Sequence, residues 1–579
     1  AAPHPTTQPS TVMGDDLAVE VAELVARVHH ATGAPLPRAP VAPELPRVLD
    51  PAVFASAVGA MAGRISDQSP GVGLGLLDVP ERQAVLPLFW RPLTQSHLAL
   101  IGPTGGGAVS ATRLAACGLL PVSGLNACLY CLDGDGSLSV LAESPRVGAY
   151  LDPGDTRAAV RLLQRFAGIL KDRSMGPNST PRPLLVLVMT SAGRWLSAFR
   201  SSPWPWAEDL LGDVVRDGHR AGVVLVVSGE RELLASRLMA GIPNRLFFPK
   251  GASAESTIAW PKLPAADAVP GRALVIGPLA DDTAGQASAS RGHIAQLLWR
   301  PDDASAISSV TWPDTVAHFA PHKTTPDQTL PAHPGSGRAE PPFWIKALPD
   351  RVAGEAVLSA ATARSSARSR PGESSFRPAR LLLGLGGDGL DAVTVRIDPG
   401  SALLAVGAPG SGKTTLLRAL PALNPGALNW LRPGPGESAE DFWIELADSV
   451  PAELPRRNAD AEAAGQGAAM KVPGQEAAML GALVDDLQTL SPAAQAALER
   501  LRTAGALVVA TAPLNPAALM RLPLAIAGRN SGTGLVLAPN RPQDGDFFSC
   551  RLDTDGHSPP GRAVLLVNGS VEWLQLAWP

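Results

Sequence analysis

The sequence predicts an α/β protein built from two copies of one mainly parallel sheet flanked by helices. Three observations carry this. A buried-strand pattern runs into a glycine-rich loop twice, at His97-Leu-Ala-Leu-Ile-Gly-Pro-Thr-Gly-Gly-Gly107 and at Ala402-Leu-Leu-Ala-Val-Gly-Ala-Pro-Gly-Ser-Gly412. Short apolar runs of strand length alternate with helical periodicity after each loop, the pattern of a parallel sheet covered on both faces. Both copies close on the same phrase, Pro270-Gly-Arg-Ala-Leu-Val-Ile276 and Pro560-Gly-Arg-Ala-Val-Leu-Leu566.

In chain order, the first copy continues with an apolar helix over 111–120 and a strand, Ala127-Cys-Leu-Tyr-Cys-Leu-Asp133. A helix over 157–171 and strands over 184–188 and 223–227 follow. The second continues with a helix over 415–420, a strand closing on Asp485, a helix over 492–503 and a strand over 506–510. The loops lie 305 residues apart, far beyond a solenoid period, which points to duplication of a whole domain. Residues 1–11 read as a flexible lead-in, 12–300 as the first domain, 301–340 as a linker and 341–579 as the second. The Ser/Arg/Ala-rich stretch 360–377 reads as a flexible linker or surface loop, and 460–475 as a loop inside the second copy. Pro342-Phe-Trp-Ile-Lys-Ala-Leu348 is apolar enough to dock on a domain.

Composition excludes several classes. With 45% hydrophobic and 18% charged residues, the 579-residue chain holds ordinary buried cores and is not wholly disordered. Four cysteines cannot staple so long a chain, and Cys128 and Cys131, with no second pair at zinc spacing, read as strand residues. A net charge of −4 gives no chain-wide basic footprint for nucleic acid, although a local basic channel is compatible with it. No apolar run approaches the ~20 residues of a membrane-spanning helix. The chain opens at Ala1 in a polar segment with no charged or apolar leader, which reads as the C-terminal part of a longer protein. The ten histidines show no metal spacing, and Trp204-Pro-Trp206 reads as packing.

Gly407-Ala-Pro-Gly-Ser-Gly-Lys-Thr-Thr415 fits G-x-x-x-x-G-K-[ST] in full, between a strand and a helix. Gly407, Ala408, Pro409, Gly410, Ser411 and Gly412 make the loop, in which the glycines let successive backbone N–H groups point inward and wrap phosphate oxygens at a helix N-terminus. Lys413 would reach the β- and γ-phosphates of ATP, Thr414 would ligate Mg2+, and Thr415 completes the motif. Lys is scarce here, and one of only seven falls at this position. Asp485 and Asp486, 71 and 72 residues after Thr414, are the catalytic carboxylates: Asp485 on the metal side, through water, and Asp486 orienting the attacking water. A helix N-cap pair is the competing reading of these two. Thr511 is a candidate γ-phosphate sensor, and Arg245 and Arg529, taken as comparably placed, are candidate arginine fingers. In the first copy, Ala108 and Val109 stand where Lys413 and Thr414 stand, and Met189, Thr190 and Ser191 follow the strand where a carboxylate is needed. Hydrolysis is not expected there.

These residues together resemble the FtsK/SpoIIIE family of P-loop ATPases, and within it the type VII secretion ATPases of the EccC/EssC group. The first copy resembles them through Gly75-Leu-Leu-Asp-Val-Pro-Glu-Arg-Gln83, Tyr130-Cys-Leu-Asp-Gly-Asp-Gly-Ser-Leu138, Pro145-Arg-Val-Gly148 and Asp217-Gly-His-Arg-Ala-Gly-Val-Val224. The second does so through Gly532-Thr-Gly-Leu-Val-Leu-Ala-Pro539, Asp544-Gly-Asp546 and Pro559-Pro-Gly-Arg562. The resemblance implies two tandem RecA-like P-loop NTPase domains; from the departures at Ala108, Val109, Met189 and Thr190, the first reads as a pseudo-ATPase serving assembly, regulation or substrate docking. The resemblance further implies a membrane-anchored, hexameric machine at the cytoplasmic side of the cell membrane, its anchor outside this chain. Such machines export small helical Trp-x-Gly proteins. A DNA translocase of the same superfamily and a non-hydrolysing regulatory nucleotide-binding module are the alternatives. Asp486, where most such motors carry Glu, favours the last.

Overall fold

The structure, a computed structural model, describes residues 13–33, 41–61, 69–122, 125–175, 182–261, 264–284, 292–298, 340–368, 380–396, 398–450, 479–554, 556 and 558–579. The expected lead-in 1–11, nearly all of the linker 301–340 and the loop 460–475 lie outside these residues.

Two large mixed sheets are each flanked by helices. The first comprises β1 (Val72–Val79), β2 (Ala84–Trp90), β3 (Leu98–Ile101), β4 (Ala127–Leu132), β5 (Val147–Leu151), β6 (Leu184–Met189), β7 (Val223–Gly229), β8 (Asn244–Phe247), β9 (Arg272–Ile276) and β10 (His293–Leu297), in spatial order β2-β1-β10-β9-β8-β3-β7-β6-β4-β5. The second comprises β11 (Val352–Ala353), β12 (Arg380–Gly386), β13 (Asp391–Arg396), β14 (Ala402–Gly407), β15 (Asn429–Leu431), β16 (Leu480–Val484), β17 (Leu507–Ala512), β18 (Thr533–Leu537), β19 (Arg562–Val567) and β20 (Ser570–Trp578), in order β13-β12-β20-β19-β18-β14-β17-β16-β15, with β11 beside β20. The two orders superimpose strand for strand apart from β5. Even the parallel bridge of Leu49 to Leu298 has its counterpart in Val352 against Ala577.

In both sheets the strands around the glycine-rich loop are parallel, and an antiparallel wing extends them from β9 or β19 outward. The parallel strands are apolar runs because both faces are covered: Leu184–Met189 and Ala402–Gly407 are buried throughout. Helix Thr156–Met175 covers one face of the first sheet with Ala159, Leu162, Leu163, Phe166 and Leu170, spaced on one helical stripe. Cys128 and Cys131 are buried in β4, where desolvation pushes both thiols up, as expected of strand residues.

Composition misled in one place. The expected flexible stretch 360–377 begins as helix, because Gly354–Arg368 is α-helical. Val357, Ala360 and Ala361 pack that helix against Leu382, Leu385, Ala392 and Leu423. Alanine is the best helix former, and a small apolar face suffices here.

Residues 343–345 dock on the first sheet's helical cover. Phe343 stacks on Tyr130 (4.5 Å between centroids) and meets Phe166 edge-on at 5.9 Å. Ile345 is buried among the first-domain residues and donates its N–H to Gly148 O at 2.8 Å. The domains also meet at helix Thr156–Met175: Arg161 reaches Asp388 at 3.0 Å, and Arg157 lies 3.7 Å over the Trp573 ring and 5.0 Å over Trp204. Trp204 is therefore packed, as expected, whereas Trp206 is exposed on the rim of a cleft of about 240 Å3 between the domains.

His97, at the entry to β3, is buried and shared between two backbones. Its Nε2 donates to Val215 O at 2.9 Å, and its Nδ1 accepts Leu225 N–H at 2.9 Å, which fixes the neutral tautomer. Burial pushes its pKa down to about 4, from 6.5 in an open chain. The folded state thus binds fewer protons than the unfolded one between these values. The contribution is intact above pH 6.5 and lost as pH falls towards 4, by up to about 3 kcal/mol. Thermal unfolding followed from pH 7.5 to 4.5 is expected to show this loss, and His97→Gln to remove it.

Candidate functional site

The site forms where three parallel strands end side by side. β14 leads into the loop, β17 pairs with β14, and β16 pairs with β17. Gly410 (φ +80°) and Gly412 (φ +102°) take left-handed conformations that side chains disfavour, and so turn the loop back over the start of helix Lys413–Leu423. Ala408, Pro409 and Gly410 form its exposed tip. Ser411 is 3% exposed, yet its hydroxyl has no hydrogen-bond partner among the described residues. A Cβ at Gly407 would lie 2.4 Å from that hydroxyl.

Lys413 folds back along the loop, Nζ donating to Gly407 O at 3.1 Å and to Ala408 O at 3.2 Å. Thr414 Oγ1 donates to Asp485 Oδ2 at 2.7 Å. Thr511 Oγ1 donates to the other oxygen, Asp485 Oδ1, at 2.6 Å, and itself accepts Asp486 N–H at 2.9 Å. Asp486 follows with φ +49°, a left-handed conformation that turns the chain at the end of β16. Thr415 lies on the opposite flank, lining a small cleft with Gly412, Gly561 and Trp578. The structure thus brings Lys413, Thr414, Asp485, Asp486 and Thr511 together from three strand ends.

The donor set fits a nucleotide with Mg2+. A hydroxyl and a carboxylate oxygen already lie within 2.7 Å of each other, and both are hard oxygen ligands. Among the described residues no group of three His, Cys, Asp or Glu could hold a metal unaided. Mg2+ takes one or two protein oxygens and completes its shell with phosphates and water. The orphaned Ser411 hydroxyl is an unmet donor of the kind that a phosphate oxygen satisfies.

The sheet registers align the two domains residue by residue. Ala99 faces Val227 as Leu404 faces Ala510, and Met189 faces Val227 as Val484 faces Ala510. Thr190 therefore stands at the position of Asp485, and Ser191 at that of Asp486. Ser191 even keeps the left-handed backbone, φ +48°. Gly105 and Gly107 keep positive φ as well, so the loop keeps its backbone turns. Ala108, in the lysine position, is buried. Thr190 Oγ1 instead donates to Asp133 Oδ1 at 2.8 Å, and Asp133 also accepts Tyr150 OH at 2.7 Å and Leu138 N–H at 2.8 Å. Asp133 is thus a buried, hydrogen-bonded carboxylate held by Thr190, Tyr150 and the Leu138 N–H.

The two arginine-finger candidates are not equivalent, contrary to expectation. Arg245 lies in β8 opposite Ala99, which is the position of Gly534 in the second domain. Arg529 lies in helix Pro523–Asn530. Arg245 is held by Ile242 O and Met239 O, and Arg529 by Ser549 Oγ and the Phe547 ring. Shared distance from a core strand does not give shared register. Sequence reasoning also missed the partners of Arg272 and Arg562. Both sit in the repeated Pro-Gly-Arg phrase, the one signal that marked them.

No protein-family model matches the sequence, and no curated protein matches it. Solved structures do. EssC (ATPases 2 and 3) from Geobacillus thermodenitrificans is similar at 15% identity and a TM-score of 0.55, over 94% of this chain and 99% of that one. The cytoplasmic domain of the Thermomonospora curvata type VII secretion ATPase EccC matches 88% of this chain and 60% of that one, at 17% identity and a TM-score of 0.47. Thermomonospora curvata EccC (ATPases 2 and 3) in complex with a signal sequence peptide matches 88% and 93%, at 18% identity and a TM-score of 0.47. The chain has the fold of the paired EssC ATPase domains: two P-loop α/β domains in tandem.

Proposed function

We propose that the second domain binds and hydrolyses ATP with Mg2+, and that the chain is the tandem ATPase module of a type VII-like protein secretion motor. The observation that carries the ATP site is the 2.7 Å contact of Thr414 with Asp485, beside Lys413 on the loop carbonyls. Lys413 exchanges those carbonyls for the β- and γ-phosphate oxygens. Thr414, and Asp485 through water, would hold Mg2+, which would supply positive charge against the phosphates. Thr511 keeps Asp485 in one rotamer. Asp486 holds a water at the loop mouth and accepts its proton.

The first domain is a pseudo-ATPase in this reading. With Ala108, Val109 and Thr190 at the cation, hydroxyl and carboxylate positions, it serves assembly, regulation or substrate docking. Small helical Trp-x-Gly proteins are the cargo, other secretion subunits are the neighbours, and the active assembly is a hexamer. It works at the cytoplasmic side of the cell membrane, anchored through a part not in this chain. Among the described residues no helix is long and apolar enough to cross a membrane.

The test is Mg2+-dependent ATP turnover by the chain, alone and with candidate helical cargo or duplex DNA. Stimulation by cargo is expected. Stimulation by DNA alone, weakening steeply with salt, supports the translocase instead. ATP binding without turnover under every condition supports a regulatory module, the reading that the short Asp486 side chain favours.

A further inference from the structure

Each domain carries one arginine whose fork is spent on the chain entering that domain. In the first, Arg272 Nε donates to Gln296 Oε1 at 3.0 Å, and Nη2 to Leu45 O at 3.3 Å and Pro46 O at 3.2 Å. In the second, Arg562 Nε donates to Gln575 Oε1 at 3.0 Å, and Nη2 to Leu348 O at 3.0 Å and Pro349 O at 3.2 Å. The glutamines return the bond in the same way, Gln296 to Pro270 O at 2.9 Å and Gln575 to Pro560 O at 3.1 Å. A Leu-Pro pair, a Pro-Gly-Arg turn and a strand glutamine thus form one device, built twice.

In the second domain this device touches the nucleotide loop. Gly561 N–H donates to Ser411 O at 3.0 Å, and a Cβ on Gly412 would lie 3.2 Å from Gly561 N. Gly561 O in turn accepts Leu576 N–H at 2.8 Å. The loop end that must present its N–H groups to phosphate therefore rests on Gly561. Gly561 is held by its neighbour Arg562, whose side chain is only 16% exposed. The salt bridge to Asp350, at 3.4 Å with that carboxylate 85% exposed, adds little beside the carbonyl bonds.

We infer that Arg562 is a positioning residue for the nucleotide site: it ties Leu348 and Pro349 of the incoming chain to β19, and through Gly561 fixes the Ser411–Gly412 end of the loop. This rests on the second loop being the ATP site. Because residues 343–345 are seated on the first domain, the same bonds link that seat to the second domain's loop. A planar fork is needed, since a lysine ammonium cannot serve Gln575 and the two carbonyls in fixed directions.

The test uses the whole chain and Mg2+-ATP, with affinity read by titration and folding read by thermal unfolding. Arg562→Ala is expected to weaken ATP binding about tenfold, and Arg562→Lys about threefold. Arg272→Ala is the matched control: it breaks the same bonds beside a loop that lacks the lysine. It should lower the thermal midpoint comparably while leaving affinity within about twofold. The inference is overturned if both Arg562 variants bind like wild type, or if Arg272→Ala weakens binding as much as Arg562→Ala. If Arg562→Ala does not fold, Arg562→Lys decides alone. Loss of binding in Lys413→Ala with none in the Arg562 variants sinks only the positioning role. Wild-type binding that survives Lys413→Ala sinks the ATP-site reading beneath it.

Discussion

Lys413→Ala is expected to weaken ATP binding by the chain about 100-fold or more and to abolish turnover, since charge-assisted bonds to phosphate are among the strongest single contacts. The ammonium stands on Gly407 O and Ala408 O, at the inner wall of the loop, and no second cation is placed there by the motif. The fold should not suffer. Lys413 is the first residue of its helix and contributes no core packing, so thermal unfolding should stay within a degree or two of wild type. Arginine should not rescue it, because a planar fork cannot occupy the space of a compact ammonium. Titration of wild type, Lys413→Ala and Lys413→Arg checks this directly.

Asp485→Asn should separate metal from nucleotide. The asparagine keeps the size of the side chain and one oxygen for Thr511, but loses the charge that draws Mg2+. Turnover should fall about 100-fold, and the Mg2+ concentration for half-maximal rate should rise about tenfold. ATP binding measured without Mg2+ should stay within about twofold. An unchanged Mg2+ dependence would remove Asp485 from the metal site. Thr190→Val, at the matching position of the first domain, should leave turnover untouched. It should cost about 1–3 kcal/mol of stability, because it strips a hydroxyl from the buried Asp133 and from Gly134 N–H.

Much of this was legible in the sequence because glycine-rich turns and apolar runs are local signals. Gly407–Thr415 declares a strand, a loop and a helix at once, and a carboxylate ending the next apolar run marks Asp485. Long-range facts were harder. Nothing local in Arg562 names Leu348 and Pro349, more than two hundred residues away, as its partners. The register that equates Thr190 with Asp485, and separates Arg245 from Arg529, appears only once strands are paired. The antiparallel pairings of β8 with β9 and of β18 with β19 were hidden because long connections rather than hairpin turns join those strands, whereas the Asn568-Gly569 turn from β19 to β20 was a legible hairpin signal that went unread. The helix Gly354–Arg368 was misread because small and polar residues give little amphipathic contrast, although Val357, Ala360 and Ala361 find the core.

The central claim is one working nucleotide site in a duplicated fold, and counting tests it most directly. Equilibrium dialysis of the full chain with Mg2+-ATP at saturating concentration should give one bound nucleotide per chain, and none for Lys413→Ala at the same concentration. Two per chain, or one that persists in Lys413→Ala, would place a nucleotide on the Gly102–Gly107 loop and contradict the account.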